Sequence, residues 1–136
     1  MVSAAKVTPR QHWTLDDLHA LQPSVDASPW GPLASAADVL AGSFLFEFEQ
    51  GGAHALIALR PNQFAHGVRL DVVGLVSTGD RLPVGALDVA LLGIAGQFGA
   101  DQLAMCTARP HVERQALRSG WQKTGVVMTR KLYVEQ

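Results

Sequence analysis

The chain is poor in cysteine, in charge and in long apolar runs. One cysteine, Cys106, among 136 residues excludes an intrachain disulfide. It ends the apolar run Leu103-Ala104-Met105-Cys106 and reads as a small buried hydrophobe, with a nucleophilic thiol as the alternative. Charged residues make up 17% and the net charge is −1 with histidines neutral, so the basic excess of a nucleic-acid binder is missing. His12, His19, His54, His66 and His111 are scattered and give no metal-ligand spacing. No apolar run approaches the ~18 residues of a membrane span. Lys6 and Arg10 are not followed by the apolar stretch of a signal peptide. The expectation is a soluble, cytoplasmic protein without metal, nucleic-acid or membrane partners.

Hydrophobic residues are plentiful, at 48%, and the length suits one domain spanning residues 1–136. Lys6 to His12 reads as a short strand interrupted by Pro9. Thr14 and Asp17 stand as the two halves of a capping box, and Leu15, Leu18 and Leu21 give the following helix an apolar face that Pro23 ends. Residues 22–32 form a proline-rich loop with Trp30 as core lining or pocket wall, and 33–41 a weak helix. Phe44, Phe46 and Phe48 alternate along a strand that turns at Gln50-Gly51-Gly52 and returns from Ala53 to Arg60, closed by Pro61. His66 to Val76 is a further strand, with Val68, Leu70, Val72 and Gly74 on one face and a bulge or a close backbone approach expected at Gly74. Val84, Leu87, Leu91, Ile94 and Phe98 then recur at helical spacing behind Pro83 at the first helical position. Leu103 to Thr107 is a short buried strand, Pro110 to Arg118 a helix, and Gly125 to Val134 a last strand. This order implies an α/β (α+β) domain with a mixed, partly parallel sheet.

The junction from Val76 to Val84 is the place where the order of elements favours chemistry. A strand ends there, a loop turns, and a helix begins with unpaired N–H groups that attract anions. Gly79 lets the backbone approach a phosphate, and Arg81 adds a full charge. The bland alternative is an ordinary strand-to-helix loop.

Gln115 to Lys123, followed by Val126 to Leu132, resembles the closing segment of GNAT-type acyltransferases, in which a short helix runs into a glycine-aromatic pair before the last strand. Gly120-Trp121 occupies that pair. The resemblance in element order extends over nearly the whole chain. It implies a central sheet whose parallel strand pair splays, with a bulge around Gly74 to Val76 and Leu103 to Thr107 as the splayed partner. It further implies that acetyl-CoA, or another acyl-CoA, is held by Leu75 and Val76 along its pantetheine arm. Gly79, Arg81, Val84 and Gly85 would meet its pyrophosphate. Arg109 would meet a phosphate or cap the strand end. The stretch Arg81-Leu82-Pro83-Val84-Gly85-Ala86 keeps the arginine and the Gly-Ala pair of the family loop, with proline in place of an N–H donor.

The resemblance implies direct transfer of the acyl group to an amine of a small molecule or peptide. Asp71 and His66 are the carboxylate and histidine of the strand where the family places a base, with Glu47 and Glu49 on the neighbouring strand as further candidates and a solvated surface group as the alternative for each. The family's tyrosine acid has no counterpart, since Ala116, or at most Leu117, stands in its place. The competing reading is a non-catalytic member of the fold, for instance a phage-associated binding or structural protein. A homodimer is a further expectation, because an open sheet edge invites pairing.

Overall fold

The computed structural model describes residues 5–30, 33–130 and 132. The elements run β1 (Lys6–Arg10), α1 (Leu15–Asp26), α2 (Ala36–Leu40), β2 (Phe44–Gln50), β3 (Ala53–Phe64), β4 (Gly67–Gly79), α3 (Val84–Gln97), β5 (Gln102–Met105) and α4 (Pro110–Arg118). The strands lie side by side in chain order. Neighbours from β1 to β4 are antiparallel, while β5 lies parallel to β4 after the α3 crossover. The result is one mixed α/β domain with a five-stranded sheet and flanking helices.

Each face of the sheet has its own core. Phe46, Phe48, Ile57, Leu59 and Leu70 pack with Leu87, Leu91 and Ile94 of α3. Leu45 and Ala58 pack on the opposite face with Leu21, Val25 and Leu40 of α1 and α2. The period-two alternation of the strands therefore separates two apolar faces, and both are covered.

Local chemistry explains the helix starts. Thr14 Oγ1 accepts from the Asp17 N–H at 3.1 Å, and the Asp17 carboxylate accepts from the Thr14 N–H at 2.9 Å. Ser35 and Asp38 repeat the arrangement at α2. Pro23 does not end the first helix, which continues through it to Asp26. Proline forfeits one helical hydrogen bond. Leu21 and Val25 on either side are fully buried, and about 1.5–3 kcal/mol for each such side chain offsets the loss.

Two strands also run further than their prolines and glycines indicate. Strand β3 passes through Pro61 to Phe64, because β2 ends at Phe44 opposite Leu59 and Pro61 has no β2 partner to donate to. In β4 the register advances from Val72 to Gly74 while β3 advances from Leu59 to Ala58, which makes Val73 an extra, bulged residue. Leu70 and Val72 pack toward α3, Val73 toward α1 and α2. The bulge therefore turns Gly74 onto the α1 and α2 face, opposite to Val72, and not onto the face expected from simple alternation. A Cβ on Gly74 would stand 3.0 Å from Leu40 Cδ2 and 3.3 Å from Leu21 Cδ2, so the helices sit where a side chain would be.

The chain around β5 departs most from expectation. Leu103, Ala104 and Met105 are only half-buried, and Cys106 is exposed. The last strand expected from Gly125 to Val134 lies partly outside the described residues, and residues 125–130 form no strand. Among the described residues, β5 therefore has a neighbour on one side alone, and its side chains stay partly open. Trp30, expected as an anchor, is 47% exposed. Among the described residues no helix is long and apolar enough to cross a membrane, and no group of three acidic, histidine or cysteine side chains is placed to hold a metal ion.

Candidate functional site

The parallel pair of β4 and β5 holds from Arg69 opposite Gln102 to Val72 opposite Met105, and stops there. The next β4 residue is the bulged Val73. Beyond it β4 stays with β3, while the other chain continues through Cys106 and Thr107 toward α4. A gap opens between them. The last turn of α1 is laid across this gap and bonded to both sides. Ser24 Oγ accepts from the Leu75 N–H at 3.1 Å. The Ala27 carbonyl accepts from the Ala108 N–H at 3.0 Å. Arg109 reaches back to donate to the Pro23 carbonyl at 3.1 Å.

A cleft of about 370 Å³ lies at the gap, between α3 and α4, with Leu75, Val76, Leu87, Arg109, Ala116 and Trp121 among its walls. A recess of about 80 Å³ reaches to Ser28, Gly74, Cys106 and Thr107. At the other end of the cleft, a hollow of about 420 Å³ sits over the start of α3, between Arg81, Val84, Gly85, Gln115 and Arg118. Cleft and hollow share Arg81, Leu82, Val84, Gln115 and Ser119. Helix α4 contributes no buried residue, so its inner face lines open space rather than a closed core.

The start of α3 suits an anion. Pro83 is the N-cap rather than the first helical residue, and it makes no side-chain cap. The first helical bond runs from the Leu87 N–H to the Pro83 carbonyl. The N–H groups of Val84, Gly85 and Ala86 are the ones the helix leaves unpaired, and they carry the positive end of its dipole. Arg81 and Arg118 border the same hollow.

Trp121 fixes the far wall. Its Nε1–H donates to the Asp88 carboxylate on α3 at 2.8 Å, and its own N–H donates to the Ala116 carbonyl at 3.0 Å. Gly120 makes the required turn at φ +97°. The aromatic ring thereby packs against the α3 core.

The structure thus brings together Leu75, Val76, Arg81, Val84, Gly85 and Arg109. It does not bring Gly79, Asp71 or His66 to them. Gly79, at φ +78°, closes on the Gly52 carbonyl, where a Cβ would collide, so its need for glycine comes from the adjoining hairpin. Asp71 lies below the bulge and is held by Arg69 at 2.6 and 3.0 Å and by Asn62 at 2.7 Å. The bonds to Asp71 raise the Arg69 pKa above its already high ordinary value, against a smaller opposing effect of burial. His66 sits exposed in the β3–β4 turn, nine residues from Leu75, or about 30 Å along an extended strand.

Sequence reasoning missed Ser24 and Arg118, and named His111 without giving it a role in the site. His111 and Ser24 line the cleft and Arg118 the hollow. Ser24 gives no signal, since only the unforeseen passage of α1 through Pro23 carries it to the gap. Among the residues lining the cleft, Asp88 is the single carboxylate, and Trp121 engages it. Cys106 borders the recess, and partial burial pushes its thiol pKa up, away from the reactive thiolate.

No protein-family model matches the chain, and no curated protein does. Two crystal structures of the protein TTHA1254 from Thermus thermophilus share its fold. A point mutant superposes with a TM-score of 0.55 at 14% identity, and the wild type with 0.50 at 16%. Each match covers 96% of this chain and 99% of the other.

Proposed function

We propose that the protein binds an acyl-CoA and passes its acyl group to an amine, in keeping with the resemblance of its closing segment to GNAT-type acyltransferases. The observation that carries this reading is the opening of β4 from β5 at the Val73 bulge into a cleft that ends on the uncapped start of α3. The pyrophosphate lies over the amides of Val84, Gly85 and Ala86, with Arg81 and Arg118 beside it. The pantetheine arm follows the cleft between α3 and α4, and the thioester reaches the gap at Leu75.

At the gap the usual backbone donor is already engaged, since the Leu75 N–H bonds to Ser24. Ser24 then presents its own O–H to the thioester carbonyl in place of that amide, stabilising the oxyanion as the amine attacks. The C–N bond forms and the C–S bond breaks. The thiolate leaves, and the proton of the amine passes to water or to His111, the histidine that borders the cleft. Proximity supplies most of the acceleration. In this reading His66 and Asp71 take no part.

Calorimetric titration of acetyl-CoA tests the binding step. Wild-type protein is expected to bind, and Arg81→Ala and Arg118→Ala each to weaken binding about tenfold, the equivalent of ~1.4 kcal/mol. Absence of binding at millimolar ligand overturns the reading. Thiol release over a panel of amines tests the transfer.

A second reading, a non-catalytic binding module, is favoured by the three bonds that α1 makes across the gap. Under it, acyl-CoA binds without thiol release toward any amine.

A further inference from the structure

The exposed apolar side chains include Val89 and Leu92 of α3, the latter beside the sheet edge at β5, and Val126, Val127, Met128 and Leu132 beyond α4. Val126 is 74% exposed and Met128 89%, in a segment whose residues 125–130 form no helix or strand. The same edge carries the unmatched backbone of β5, which has β4 on one side and no strand on the other among the described residues. A groove of about 460 Å³ follows β5 there, walled by Leu92, Leu103, Met105 and Trp121, with Gln122 and Thr124 on its rim. Unpaired strand edges of this kind are templates for an added strand.

We propose that this groove takes residues 125–132 of a second copy of the chain as an antiparallel sixth strand, and that the exchange is mutual. The segment Val-Val-Met-Thr-Arg-Lys-Leu is rich in residues that favour strands, and it sets Val126 and Met128 on one face. Charge selects the occupant and its direction. From Trp121 to Leu132 the chain has Lys123, Arg130 and Lys131 and no acid. Among the described residues the groove has no basic residue in its lining; it contains Asp88 and has Asp101 just before β5. Antiparallel pairing sets Arg130 near Asp101, and Val126 near Met105.

The segment's own chain holds it outside the groove. Trp121 is pinned to Asp88, and Lys123 is paired with Glu113 at 3.3 Å, which fixes the rim before Gly125. The side chains of residues 126–130 and of Leu132 lie in solvent. Reaching into a partner's groove asks nothing of residues 5–124. Two identical tails and two identical edges close the assembly with twofold symmetry. The proposal is independent of acyl-CoA binding.

Light scattering on the full chain, from low micromolar to near-millimolar concentration, tests it. The expected mass is twice the 14.5 kDa chain at the upper end. A double variant, Val126→Lys with Met128→Lys, is expected to halve that mass with unchanged circular dichroism. A monomer at every concentration overturns the proposal, as does a dimer that survives in the double variant. Hydrogen exchange on the wild type serves if the variant does not fold. Protection of residues 102–105 and 126–132 is expected to rise with concentration. Protection of 126–132 that is independent of concentration means the tail closes its own groove, and the proposal fails.

Discussion

Ser24 and Leu75 are joined by a hydrogen bond of 3.1 Å, from a backbone N–H of β4 to a side chain in the last turn of α1. The same turn holds the chain beyond β5 through Ala27 and Ala108 at 3.0 Å. One helix end therefore sets the spacing of two strands that have ceased to bond with each other. The width of the gap is a property of α1 as much as of the sheet.

Ser24→Ala removes the acceptor and leaves the Leu75 amide without its partner. An unpaired, partly buried amide costs about 1–3 kcal/mol. The unfolding free energy is expected to fall by that amount, read as a lower urea midpoint at constant slope. A midpoint unchanged within error would mean that water takes the place of the hydroxyl and that the turn is not held by this bond.

Trp121→Phe keeps an aromatic ring against α3 and deletes the donor to Asp88. Because the acceptor is a carboxylate, the bond is worth about 1.5–3 kcal/mol. Loss of stability in that range is expected, along with faster amide exchange in α4, since the Trp121 N–H also ties to Ala116. If the double variant Trp121→Phe with Asp88→Ala loses as much as the sum of the singles, the two residues do not act through this bond.

Much of this arrangement is legible in the sequence, and the failures have physical causes. Thr14 with Asp17 announces the start of α1, the phenylalanine alternation announces β2, and Gly120-Trp121 marks the turn that docks on Asp88. These are local signals that tertiary contacts only reinforce. Pro23 and Pro61 mislead because burial around the first, and an absent β2 neighbour at the second, override what proline usually does. Gly79 looks like a phosphate approach and serves the Gly52 carbonyl, a contact made by pairing between strands. Asp71 and His66 stand out by residue type and strand alone. Side-chain partners and position along the strand decide otherwise, and neither is written in a single sequence. Ser24 becomes a site residue only after several elements converge.

Asp38 provides a pH test. Hydrogen bonds from the Ser35 backbone and then its hydroxyl hold the Asp38 pKa below the ordinary aspartate value. A folded pKa lower than the unfolded one gives a contribution that is present above the unfolded pKa and lost as pH falls through the folded pKa. The start of α2 is therefore expected to fray on acidification in that window. Carbon-detected NMR titration is expected to place Asp38 below a free aspartate, and Ser35→Ala to move it upward. A titration of Asp38 that is the same in both proteins would show that the Ser35 hydroxyl does not hold the Asp38 carboxylate in solution.

Gly74 and Gly85 make opposite predictions from the same substitution. At Gly74 the bulge directs a new Cβ against Leu40 at 3.0 Å and Leu21 at 3.3 Å. Both leucines are buried, and overpacking of this kind costs about 1–3 kcal/mol. At Gly85 a Cβ meets nothing within 4 Å, and the residue lies in the first turn of α3. Alanine there removes backbone freedom from the unfolded chain and is expected to stabilise by about 0.4–1 kcal/mol. Thermal or urea unfolding of the two variants gives the signs directly. A stabilising Gly74→Ala would mean that β4 lacks the bulge, and with it the reason for β5 to part from β4. Gly85→Ala leaves its amide in place, so weaker acyl-CoA binding in a more stable variant would point to contact of the ligand with the open surface beside Gly85.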